Sequence, residues 1–70
     1  MKVKVKRVEV RKILAKKNMS QNWLAGKLGT SSGYMSQLIR GERNPSPKMR
    51  QKMLSFLKDY QFDDLFHIKG

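Results

Sequence analysis

Val and Lys alternate from Met1 to Lys6, the two-residue period of a strand with one buried face. Six residues are too few to be stable alone. This stretch is therefore expected to pair with another strand, to stand as a solvated basic strand, or to serve as an arm reaching along an anionic partner. From Arg7 the period changes. Val10, Ile13 and Leu14 repeat at i, i+3, i+4, Lys16 and Lys17 suit the negative end of a helix, and Asn18 can take the left-handed conformation that stops it. Ser20 is a preferred N-cap for a second helix, Gln21 to Leu28, with Leu24, Ala25 and Leu28 on one face and Gly29 as its stop. Ser31 caps a third helix from Ser32 to Arg40, with Met35, Leu38 and Ile39 apolar and Gly41 at its end. Ser46 and Pro47 read as cap and first residue of a fourth helix running to about Lys58, with Met49, Met53, Phe56 and Leu57 turned inward. Phe62 to Phe66 predict a short fifth helix whose Asp63 and Asp64 sit favourably near its positive end. The whole reads as one all-α domain over residues 1–70: a compact bundle of four to five short helices, preceded by a short extended segment.

Composition narrows what such a bundle can do. The chain has 70 residues, near the lower limit for a core without staples, and no cysteine, which removes disulfides, thiol nucleophiles and thiolate zinc sites. Sixteen Lys and Arg against five Asp and Glu give a net charge of +11. The charge is uneven. Residues 1–17 carry eight basic side chains against Glu9, whereas the acidic-apolar tail, residues 59–70, carries Asp59, Asp63 and Asp64 against Lys69. An anion would therefore approach by the N-terminal two-thirds. The single histidine, His67, lies near that acidic end and reads as a surface residue, so no metal site, cofactor or enzymatic chemistry is expected. No apolar run exceeds three residues, so no membrane partner is expected, and without a signal-like apolar stretch a cytoplasmic location is the expectation.

The informative stretch is residues 21–40. Two helices of about two turns each meet at Gly29, and Leu24, Ala25 and Leu28 of the first must pack on Met35 and Leu38 of the second. Ala25 is small where the helices come close, and Gly29 allows positive φ at the turn. This is the description of a helix-turn-helix, whose second helix stands clear and can enter a major groove. The run SQNWLAGKLGTSSGYMSQLIRGERNPSP resembles the Cro/lambda-repressor-like (XRE) helix-turn-helix DNA-binding family, and the five-helix layout fits from Val10 to Leu57. The resemblance implies a lambda-repressor-like bundle with a central helix-turn-helix. It implies a transcriptional regulator of bacterial, phage or mobile-element type, often a dimer on a palindromic operator. Three positions depart from the family pattern. Thr30 stands where an aliphatic residue is usual, and Gly26 and Gly33 lie inside helices, at about 1 kcal/mol each relative to Ala.

If the third helix enters the groove, helical spacing turns Ser32, Gly33, Ser36 and Gln37 away from Met35 and Leu38 and toward base edges. Gln37 is the strongest reader, because an amide bonds adenine N6 and N7 together. Phosphate contacts are expected around it, from Gln21 and Ser31 at helix starts, from Tyr34, from Arg40, Arg43 and Asn44 at the far end of the third helix, and from Lys48 at the start of the fourth. Bland readings stand beside these: a solvated Gln37, an Arg40 or Arg43 paired with Glu42, a Tyr34 lying over the helix pair. Trp23 reads as a partly exposed packing residue, and Met19, Met35, Met49 and Met53 read as core fillers. Phe62, Leu65 and Phe66 either cap the domain's own core or form a homodimer surface. The leading function is sequence-specific binding of double-stranded DNA by a transcriptional regulator, most simply a repressor. An antitoxin-like protein-interaction module on the same fold, and a non-specific anion binder driven by charge alone, are the alternatives.

Overall fold

Three of the helices begin on a serine and three end in a left-handed residue, and these six punctuation points set the architecture. In the computed structural model, which describes every residue from Met1 to Gly70, the elements are β1 (Lys2–Val5), α1 (Arg7–Lys16), α2 (Gln21–Lys27), α3 (Ser32–Arg40), α4 (Pro47–Phe56), α5 (Phe62–Leu65) and β2 (Phe66–Lys69). The hydroxyls of Ser20, Ser31 and Ser46 accept from the backbone N–H of Trp23, Tyr34 and Met49 at 3.0, 3.1 and 3.1 Å. Each bond satisfies a donor that the first helical turn leaves without a partner. Asn18, Gly29 and Gly41 have φ of 56, 71 and 81°. Behind each, the chain folds back in the same way: Met19 N–H donates to Leu14, Thr30 to Ala25 and Glu42 to Gln37, all at 2.9 Å. These are Schellman endings, and they turn the chain sharply enough for short helices to pack on one another.

The core consists of 15 buried apolar side chains and contains no buried polar or charged one, so it is held by apolar packing. Leu24, Ala25 and Leu28 of α2 lie in it with Met35, Leu38 and Ile39 of α3, fixing the α2–α3 crossing that the sequence demanded. From α4, Met49, Met53 and Leu57 contribute a single i, i+4 line. Phe56 does not join them. It is on the margin of that line and is exposed, its ring centroid 5.8 Å from that of the equally peripheral Trp23.

The chain ends depart from the expected all-α fold. Residues 66–69 form a strand antiparallel to β1, in the register Lys2↔Lys69, Val3↔Ile68, Lys4↔His67, Val5↔Phe66. The fifth helix accordingly stops at Leu65, and the N-terminal segment is one half of a ribbon rather than a free arm. The backbone bond from Lys6 N–H to the Leu65 carbonyl, 2.7 Å, continues this closure into the helical body. The homodimer surface proposed for Phe62, Leu65 and Phe66 fails at two of its three members. Leu65 and Phe66 are fully buried in their own core, and Phe62 is half-buried against the Phe66 ring at 5.1 Å between centroids.

Candidate nucleic-acid interface

α3 is amphipathic by position. Met35, Leu38 and Ile39 face the core, and the opposite stripe is Gly33, Ser36, Gln37 and Arg40, spaced i, i+3, i+4, i+7. Ser32 and Gly33 are exposed, and Ser36 and Gln37 are half-buried. The outward stripe is nearly smooth along its first turn, because Gly33 carries no side chain and Ser32 and Ser36 carry short ones. A Cβ added to Gly33 would meet no atom of the protein within 4 Å, so packing does not require glycine there.

The expected phosphate ligands sort into three kinds. Gln21 is the first residue of α2, half-buried, and Ser31 is the N-cap of α3. The Ser31 oxygen accepts from Tyr34 N–H, and its hydroxyl proton remains free to donate. At the end of α3, Arg40 is held by Glu42 through two bonds, Nε to Oε2 at 2.8 Å and Nη2 to Oε1 at 3.2 Å. That pairing offsets its charge locally and leaves Arg43 as the uncompensated cation of the loop. The Arg43 guanidinium lies 5.8 Å from the centroid of the half-buried Tyr34 ring, which ties the loop to the first turn of α3. Asn44 and Lys48 are exposed on either side of the buried Pro45 and the Ser46–Pro47 start of α4.

Two juxtapositions of cations were not foreseen from the sequence, one of them around Lys48, itself an expected phosphate contact. Lys27, Lys48 and Lys52 line an open groove of about 740 Å³ between the end of α2 and the face of α4, and Lys52 Nζ donates to the Leu28 carbonyl at 3.4 Å. Lys4 Nζ donates to the Gly41 carbonyl at 3.0 Å, which brings the N-terminal strand against the end of α3. Both depend on which elements cross, and no local spacing announces a crossing. No group of three or more His, Asp or Glu side chains comes together where a metal could be held. No helix is long and apolar enough to cross a membrane.

The comparisons with known proteins agree on a helix-turn-helix domain. A helix-turn-helix family model matches residues 10–65, which excludes the ribbon but includes every candidate DNA contact named above except those of the chain ends. An uncharacterized HTH-type transcriptional regulator of Bacillus subtilis (strain 168), YvzC, is 32% identical over 66 residues, spanning 94% of this chain and 84% of that relative. No solved structure matches the chain.

Proposed function

The chain belongs to the helix-turn-helix family, a DNA-binding regulator and not an enzyme, and from that premise we propose that it reads a specific sequence in double-stranded DNA and acts as a repressor by occupancy. The observation that carries the reading is the outward stripe of α3. One face of that helix is sealed against α2, and the other offers small residues followed by an amide, with cations gathered at its end. A helix of this kind can lie close in the major groove, where Gln37 would bond an adenine edge and Ser32 and Ser36 would donate or accept. Gln21, Ser31, Tyr34, Arg43, Asn44 and Lys48 then set the register through phosphates and carry no sequence information themselves. Arg40 joins them only if DNA draws it away from Glu42. Two copies on half-sites about one helical turn apart would cover a promoter and exclude polymerase.

Selection of binding sites from random duplex DNA at near-physiological salt tests this. The expected result is an inverted repeat whose information at one position of each half-site disappears in Gln37→Ala, a loss of about 1–3 kcal/mol of discrimination there. Arg43→Gln should weaken every sequence alike and reduce the salt slope by about one. Recovery of no motif above background would refute sequence-specific reading, and a lone half-site would refute the paired arrangement.

A further inference from the structure

The β1–β2 ribbon is electrostatically unfavourable as it stands. Lys2 lies directly opposite Lys69, with Lys4 and His67 opposite each other on the same face, so the open end of the ribbon sets two ammonium groups against one another, and neither strand contains a carboxylate. Like charges directly across an antiparallel pair destabilise it. The other face pairs Val5 with Phe66, both buried, and so holds the ribbon to the core despite that repulsion. Lys4 and Lys6 are engaged by the carbonyls of Gly41 and Asp63, at 3.0 and 2.6 Å, while Lys2 and Lys69 are left exposed. The Lys4–Gly41 bond sets this basic face beside the loop that follows α3, the loop that carries Arg43 and Asn44.

The geometry points to the ribbon as a second contact for the phosphate backbone of duplex DNA, continuing from the α3–α4 loop and made by Lys2 and Lys69. The inference rests on the DNA-binding reading above and adds to it a site formed by both chain ends together. A second copy of the chain is a poor occupant for this face, because it would bring a molecule of the same +11 charge against it. A polyanion relieves the Lys2–Lys69 repulsion by setting negative charge beside both ammonium groups, and each neutralised phosphate also releases condensed counterions.

The test compares two double variants of equal net charge on mixed-sequence duplex DNA, by fluorescence anisotropy across a salt series. Lys2→Gln with Lys69→Gln removes the ribbon cations. Lys16→Gln with Lys58→Gln removes two exposed lysines outside the ribbon, neither of them in an ion pair. The ribbon variant should lose about two from the slope of log K against log salt, and the control pair less than one. Equal losses in the two variants, or no loss in the ribbon variant, would overturn the proposal. Melting curves keep the reading clear of misfolding: removing like charges should leave the ribbon variant at least as stable as the parent protein. Lys69→Glu, which sets opposite charges across the pair, should raise the melting midpoint while weakening DNA binding; weaker folding there would count against the repulsion argument. If the parent protein selects a motif and the ribbon variant keeps its slope, only this inference falls. If the parent protein selects no motif, the function itself is at fault.

Discussion

Two glycines inside helices separate stability from recognition. Gly26 and Gly33 occupy helical positions, and at neither would a Cβ meet any protein atom within 4 Å. Alanine at either should therefore stabilise the fold by about 0.5–1 kcal/mol, through better helix propensity and a less flexible unfolded chain. Gly26 is exposed on α2 and is not among the candidate DNA contacts, so Gly26→Ala should raise the denaturation midpoint and leave DNA affinity as it was. Gly33 heads the outward stripe of α3. If the backbone approaches base edges there, Gly33→Ala should also gain stability but lose affinity. A Gly33→Ala protein that binds DNA as tightly as its parent would show that the groove leaves room at that position. Gly41 behaves differently, because its φ of 81° is hostile to a side chain. Gly41→Ala should cost about 1 kcal/mol or more, measured by urea unfolding, despite the open space around it.

At the scale of elements, what was legible in the sequence is what local chemistry determines. Ser20, Ser31 and Ser46 announced three helix starts, Asn18, Gly29 and Gly41 three of the stops, and the helical spacing the inward faces of α1, α2 and α3. The candidate reading face was legible for the same reason, since a helix with one apolar stripe has a defined opposite side. The second strand was not. Phe66-His67-Ile68-Lys69 does alternate, as Val3 and Val5 do, but the four residues directly follow a helical turn and their partner lies more than 60 positions away in the register Lys2↔Lys69. A pairing that distant leaves no local mark. Phe56 misled for a related reason: its spacing from Met53 suits the core, but the i, i+4 line through Met49, Met53 and Leu57 fills that face and leaves Phe56 to Trp23. The strand's energetic weight is concentrated in Phe66. Phe66→Ala should cost about 3–5 kcal/mol of folding stability, seen as a large drop in the urea midpoint. Its burial also predicts that any loss of self-association tracks unfolding rather than a lost contact between copies. A variant that remained fully folded but became monomeric would contradict that.

At the scale of the whole molecule, one quantity acts on folding and on binding with opposite sign. The net charge of +11 on 70 residues repels itself in the compact state, while the core that resists it is wholly apolar and insensitive to simple salt screening. Only three ion pairs offset that repulsion, Lys12–Glu9, Lys17–Asp59 and Arg40–Glu42, and all of them are at least partly exposed. Exposed pairs contribute little, and salt weakens them, but the excess of cations far outnumbers them. Raising sodium chloride from low to physiological levels should therefore raise the melting midpoint. Relief of about 1 kcal/mol would move it by roughly 4–8 °C for a domain of this size. Over the same range DNA affinity should fall. If Arg43, Lys48, Lys2 and Lys69 are the cations that meet phosphates, the loss between 50 and 200 mM salt is about a hundredfold. Both measurements use the same protein and buffers, and their opposite signs are the diagnostic. A midpoint that fell together with affinity would mean that the ion pairs outweigh the repulsion. The charge would then have to be assigned to holding the fold rather than to its partner.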